Sequence, residues 1–191
     1  MKKSIFITAA AVLALSFTFE QINWSVDKAH SRLGFSINHL GISDLNGSFG
    51  IVDTKITSSK EDFSDAVIEL SADVNTINTN NEQRDAHLKS PDFFDAAKNP
   101  TLTFKSTSFK KGKGNHYALK GDLTMHGITK PVTLDAIYNG TTVHPMNKKS
   151  MAGFKVSGIV KRSDFDVAPS MAAPLLSDEV KLSADLEFSR D

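Results

Sequence analysis

Cysteine is absent from this chain. That excludes a disulfide framework, a thiolate metal centre and a lipid-modified cysteine near the amino terminus, and it leaves packing as the only means of holding the fold together. A cysteine-free domain therefore favours a closed or well-covered sheet. Net charge is missing too: 22 Lys and Arg residues balance 22 Asp and Glu residues, and the densest basic groups are the pairs Lys110-Lys111 and Lys148-Lys149. This is no phosphate-backbone footprint, so no nucleic-acid partner is expected, and attraction to a membrane surface by charge is equally unsupported. Internal repeats and low-complexity linkers are lacking. The histidines His30, His39, His87, His116, His126 and His144 form no HxH or HExxH pair. No carboxylate stands at ligand spacing to two of them, so no metal and no cofactor are expected.

After Phe19 no apolar run is long enough to span a membrane. The run before it, Ile5 to Phe19 behind Lys2-Lys3, has the charged start and hydrophobic middle of a secretory signal peptide. Residues 1–22 are read as that signal, cleaved after the small residues Ala14 or Ser16 or nearer Asn23, and residues 23–191 as one domain. The mature protein is expected to be periplasmic or secreted, with no membrane span once the signal is removed. A chain of 191 residues with 40% hydrophobic content suits a single core of useful size.

What the sequence does contain is alternation. Leu33, Phe35 and Ile37 alternate with polar residues, with His39 on the same apolar face; Leu45, Phe49 and Ile51 follow, with Gly47 marking a bulge or close approach. The period of two continues through Ala66 to Val74, Leu102 to Ser106, Tyr117 to Met125, Val132 to Tyr138, Ala152 to Val160 and Val180 to Phe188. Lys113-Gly114-Asn115, Gly127 to Lys130 and Asn139-Gly140 read as short turns, so neighbouring strands are antiparallel. The expected fold class is all-β: an eight-stranded antiparallel barrel, or the alternative sandwich, with a short helical insertion. Eight staves are the number at which an interior is filled by side chains or holds one small ligand.

The insertion lies between Arg84 and Phe104. Thr79-Asn80-Asn81-Glu82 has capping-box spacing and predicts a helix from about Asn81 to Lys89, while Ser90-Pro91-Asp92 is a second helix-start signal, stopped by Pro100. Phe93 and Phe94 put two apolar rings into this polar segment, as a plug over an apolar opening or a seal on a small core. Arg84-Asp85-Ala86-His87 offers either a small anionic-headgroup site or, more commonly, a clamp of the helix onto the barrel rim. Ser31, His87 and Asp85 contain the residue types of a hydrolase triad but no nucleophile elbow.

Three long segments, WSVDKAHSRLGFSINHLGISDLNGSFG, RDAHLKSPDFFDAAKNPTLTFKS and LKGDLTMHGITKPVTL, closely resemble the YceI-like family of exported lipid and polyisoprenoid-binding proteins. The family pattern falls on Trp24, Asp27, His30, Ser31, Phe35 and His39, then on Arg84, Asp85, His87, Leu88, Phe93, Phe94, Pro100 and Phe104, and finally on Leu123, His126 and Gly127. The resemblance implies a lipocalin-like antiparallel barrel with an elongated apolar cavity for an isoprenoid chain, and frequently a homodimer. The chain departs from the pattern at Arg162-Ser163-Asp164-Phe165-Asp166, where the family often ends an arginine-rich strand in Phe-Gly, and in the following loop from Val167 to Pro174. These departures bear on ligand length and headgroup selectivity.

The expected function is non-catalytic binding of a polyisoprenoid or similar long-chain amphiphile, for carriage, storage or stress response in the bacterial envelope. A fatty acid or fatty amide ligand, or a histidine-based metal or hydrolytic protein, are the alternatives. Burial of an isoprene unit contributes about 4 kcal/mol gross, so a few units reach micromolar affinity without a headgroup clamp. Candidate ligand-binding residues are the inward apolar set Phe35, Ile37, Leu70, Phe104, Leu123, Leu134, Phe154, Val156 and Leu182, joined by His39, Phe93 and Phe94.

Overall fold

The computed structural model describes residues 20–191; the signal-peptide assignment, up to residue 19, lies outside the described residues. The elements are β1 (Ile22–Val26), β2 (Arg32–His39), β3 (Ser43–Ser58), β4 (Val67–Asn78), α1 (Glu82–Leu88), β5 (Thr101–Lys111), β6 (His116–Met125), β7 (Ile128–Val143), β8 (Ser150–Lys161), a 3₁₀ turn (Arg162–Phe165) and β9 (Leu176–Arg190). Every strand pairs antiparallel with its sequence neighbours from β2 onward, and β9 returns to pair with β2 and β1. The nine strands thus close a barrel of eight staves, because β1 and β2 run one after the other between β3 and β9 and share a stave.

That first stave is broken at residues 27–31, and the break is built from the family-pattern residues Asp27, His30 and Ser31. Asp27 accepts from the Ala29 backbone N–H at 3.0 Å and from His30 Nδ1 at 2.9 Å, closing a local turn. Ser31 Oγ accepts from the Glu187 N–H at 2.9 Å and donates to the Glu187 carbonyl at 3.3 Å, and the Asp27 N–H donates to that carbonyl at 2.8 Å, so side chain and backbone together carry the ladder across the break. The hydrogen bond to Asp27 raises the His30 pKa, and the same bond lowers that of Asp27.

The inside of each stave is the apolar face that alternation marks. Gly47 is a close approach: the Phe35 ring lies across it from the paired strand, and a Cβ there would fall 2.3 Å from the ring. Asn139-Gly140 is not a turn. It is a bulge, with Asn139 the extra residue between the pairs Tyr138–Phe154 and Gly140–Gly153, and β7 runs on to Val143. The two-residue turn lies earlier, at His126 and Gly127, both at positive φ, which is the hairpin geometry that matches the twist of the flanking strands.

The helix forms where expected, but Asn81 caps it, accepting from the Arg84 N–H at 2.9 Å. Thr79 is instead the clamp point. Its hydroxyl donates to Asp85 at 2.5 Å and accepts from Arg84 Nε at 2.7 Å, while Arg84 Nη2 reaches its carbonyl at 2.7 Å. Ser90-Pro91-Asp92 starts no helix: the Ser90 carbonyl accepts from the Phe93 and Asp95 N–H groups, and the chain proceeds in turns that sink both Phe93 and Phe94.

At the opposite end, where β3 stops and β1 begins, an aromatic cluster closes the barrel. Phe63, carried in by the loop between β3 and β4, packs on Trp24, Tyr138 and Phe154 with ring centroids 5.2 to 5.3 Å apart. Phe109 stacks on Tyr117 at 4.5 Å, and Tyr117 Oη donates to the Asp62 carbonyl at 2.6 Å. The Phe63 loop is fastened by Asp65. Burial pushes its carboxyl up, but hydrogen bonds from the Ser58 and Ser59 hydroxyls and the Ser59 N–H outweigh that and hold it well below the ordinary 3.8.

A carboxylate whose pKa is depressed by folding contributes stability above its unfolded value and loses it as pH falls through the folded value. Asp65→Asn is therefore expected to lower stability at pH 7 by about 1 kcal/mol, a figure discounted for solvent screening at this exposed side chain. The difference between the two proteins, followed by urea unfolding, should shrink steadily as the pH is taken below about 4. Phe63→Ala, which empties the centre of the aromatic cluster, should cost about 3–5 kcal/mol.

Candidate functional site

Between the aromatic cluster and the plugged mouth the barrel encloses an elongated cavity of about 450 Å³, within the range of small-molecule sites. Its wall is apolar side chains from every stave. Phe35, Ile37, His39, Leu70, Phe93, Phe94, Phe104, Leu123, Leu134, Val156 and Leu182 all line it. Phe154 does not. It faces inward as alternation requires, but it sits one layer too far down and belongs to the closed-end cluster, against Phe63, Phe109, Tyr138 and Phe188.

The sequence reading missed wall residues of two kinds. Leu33, Phe49, Leu119, Val132, Val180 and Leu186 lie on the same alternating faces as the residues it named, so periodicity carried the signal. Met171, Leu175 and Arg162 come from the segment after β8, where no periodicity exists.

Arg162 organises that segment. It opens the 3₁₀ turn, is 6% exposed, and spends its guanidinium on five backbone carbonyls: Ser177 from Nε at 3.0 Å, Val167 and Ala168 from Nη1 at 3.1 and 2.5 Å, and Met171 and Leu176 from Nη2, the latter at 3.3 Å. Only a planar fork of N–H donors can hold a loop this way. At the end of the 3₁₀ turn Asp166 takes φ of 55°, the left-handed conformation for which the family's Phe-Gly glycine is suited. His126 Nδ1, at the β6–β7 hairpin tip, donates to the Phe165 carbonyl at 3.1 Å and ties the turn across to β7. The mouth is thus covered from two sides, by Phe93 and Phe94 from one loop and by the Arg162-held loop from the other.

Polar groups in the wall are few. Arg84 and His87 stand at the rim, Arg84 committed to Thr79 and His87 edge-on to the Phe93 ring with Asp92 at 3.7 Å. Thr54, buried in β3, has a hydroxyl without a hydrogen-bond partner. Ser31, Asp85 and His87 do not converge: Ser31 serves the Glu187 backbone near the closed end, while Asp85 and His87 are on α1. Among the described residues Asp27, His30 and Glu187 bring ligand atoms within 4.8 Å of one another on the exposed surface, but His39, His87 and His126 lie apart from that group. No helix of the described residues is long and apolar enough to cross a membrane.

The YceI-like domain model matches residues 24–188. The chain belongs to the YceI-like family. Protein YceI of Salmonella arizonae is 35% identical over 190 residues, covering 98% of this chain and 97% of the relative. The crystal structure of the Campylobacter jejuni YceI protein superimposes with a TM-score of 0.70 at 34% identity, over 86% of this chain and 96% of that one. A polyisoprenoid-binding domain from Saccharophagus degradans shares the fold, with a TM-score of 0.64 at 15% identity over 88% and 98% of the two chains. The resemblance read from the three motifs is thereby established, as is the closed eight-stave YceI-like barrel with one short helix.

Two substitutions separate fastening from lining. Arg162→Met leaves five carbonyls without their donor and is expected to lower stability by about 3 kcal/mol or more, with proteolytic cleavage appearing first between residues 166 and 175. Thr54→Val removes a buried unpaired hydroxyl and should raise stability by about 1 kcal/mol in denaturant unfolding.

Proposed function

We propose that this protein is a non-catalytic carrier that holds a polyisoprenoid or similar long-chain amphiphile inside the barrel, for carriage, storage or stress response in the bacterial envelope. The observation that carries the reading is the elongated apolar cavity, closed below by rings and above by two fastened loops. A chain-shaped ligand fills such a volume, and its burial supplies affinity without a charged headgroup site. The rim fits this economy of polar contacts, since Arg84 is already spent on Thr79. The polyisoprenoid-binding domain that shares this fold offers further support for the ligand class. Residues 1–22 serve, on this reading, as an export signal that delivers the barrel to the periplasm or beyond.

Protein recovered from the exported fraction without detergent should carry a stoichiometric long-chain lipid in native mass spectrometry, which also reads the oligomeric state. Phe104→Asp and Leu123→Asp are expected to lose that lipid, whereas Arg84→Ala retains most of it. Val156→Phe, which fills the cavity without adding charge, should lose it while keeping the folded circular dichroism spectrum. A protein that stays empty after incubation with polyprenyl lipids, or that loses ligand only on Arg84→Ala, would count against cavity binding. A co-purifying fatty acid or fatty amide would keep the site and change the ligand.

A further inference from the structure

The barrel wall is not equally closed all round. The β7–β8 ladder runs from Val143–Ser150 only as far as Asp135–Ser157. Beyond that point Ile128–Leu134 of β7 continues on β6 alone, and Gly158–Lys161 of β8 continues on β9 alone. Two strand edges therefore face each other without hydrogen bonds between them. Pro131 lies in this stretch of β7, and a proline within a sheet is confined to edges of this kind.

The gap is bounded on all sides. The last rung closes it below, and the 3₁₀ turn with its His126–Phe165 hydrogen bond closes it above. The side chain that reaches across it is Leu134. Leu134 lies over Gly158 so closely that a Cβ at position 158 would fall 2.3 Å from Leu134 Cδ2. Leu134 and Leu182 line the inner cavity and also the floor of a groove on the outer surface, whose flanks are His116, Thr133, Asp135, Ser157 and Lys181. Inside the gap is apolar; outside, these polar side chains stand around a largely apolar floor, to which the exposed Ile159 also belongs.

We infer that the ligand enters and leaves sideways, through this window between β7 and β8, with Leu134 as the shutter. The inference rests on the carrier reading and adds the route. Separating any paired staves breaks a ladder at about 1 kcal/mol for each hydrogen bond, and lifting the mouth cover must undo the Arg162 fastening as well. At the window no ladder exists to break, and a rotamer change of one leucine on a glycine opens it. An amphiphile passing tail-first slides its tail over the apolar floor and keeps its polar end outside, beside His116, Thr133, Asp135, Ser157 and Lys181, so neither end is stranded in the wrong medium.

The chain has no cysteine, so introduced pairs react cleanly. In continued register Thr133 would face Ile159, and both are exposed on the outer surface. Thr133→Cys/Ile159→Cys is bridged with a short bis-maleimide, and the same variant capped with N-ethylmaleimide serves as its control. A second pair, Leu40→Cys/Ala172→Cys, ties the β2–β3 hairpin to the mouth loop in the same way. Uptake of a fluorescent polyene fatty acid, and its displacement by geranylgeraniol, are followed by stopped flow. Bridging the window should slow both by at least about tenfold against the capped control, and bridging the mouth should alter them by less than about twofold. Leu134→Ala should speed uptake. Rates indifferent to the window bridge, or slowed by the mouth bridge instead, would overturn the portal and leave the carrier standing. Failure of the wild-type protein to take up either probe would overturn both.

Discussion

The ladder between the last strand and the first is what turns a meander into a vessel. β9 reaches back across the whole chain to pair with β2 from Arg32–Asp185 to His39–Leu176, and with β1 from Trp24–Arg190 to Val26–Phe188. No disulfide assists it. Closure of a loop this long carries an entropic cost that grows only slowly with length, so what matters is that the returning strand finds its register and keeps it. Ser31 contributes here, by bonding the Glu187 backbone at the one place where the first stave is interrupted. The cavity, both of its stoppers and the order of the inner faces follow from that closure.

How much of this is legible in the sequence depends on which coordinate is asked for. A period of two tells inside from outside, and it does so for nearly every stave. It does not tell height along the barrel axis, which is why Phe154 has the right face and the wrong layer. Alternation also breaks at bulges: Asn139-Gly140 has the composition of a turn, yet Tyr138 and Gly140 both keep partners on β8, so the strand absorbs one residue and continues. Ser90-Pro91 has the composition of a helix start, but the Ser90 carbonyl is taken by the Phe93 and Asp95 N–H groups, and the chain turns so that both rings are buried. Arg162 is the least legible of all. Its role is defined by carbonyls from the following loop and from the start of β9, and no spacing rule announces that an arginine will be used as the core of a loop.

The family-pattern residues fall into fastening and lining. Asp27, His30 and Ser31 mend a broken stave; Arg84 and Asp85 grip Thr79; His126 and Gly127 make a hairpin tip that reaches the 3₁₀ turn. Phe35, Phe93, Phe94, Phe104 and Leu123 face the cavity. Most of the polar signature is thus architectural, with Asp27, His30, Asp85 and His126 holding elements together, while His39 and His87 stand in the cavity wall and at its rim.

On the carrier reading, the barrel faces two opposed requirements. Retention wants every opening sealed by interactions that are lost together, and exchange wants one opening whose seal can fail by itself. The barrel meets the first at its ends, where rings interlock below and a guanidinium gathers five carbonyls above, so that disturbing one contact there disturbs several. It meets the second along the side, where Leu134 over Gly158 is a contact between one side chain and a position without any. Dispersion contacts of that kind are broken and remade by rotamer change, with no polar group left unpaired at any step. On the carrier reading with a lateral portal, the asymmetry between fastened ends and an unladdered flank separates the protein's stability from the route of a ligand, and changes on one need not alter the other.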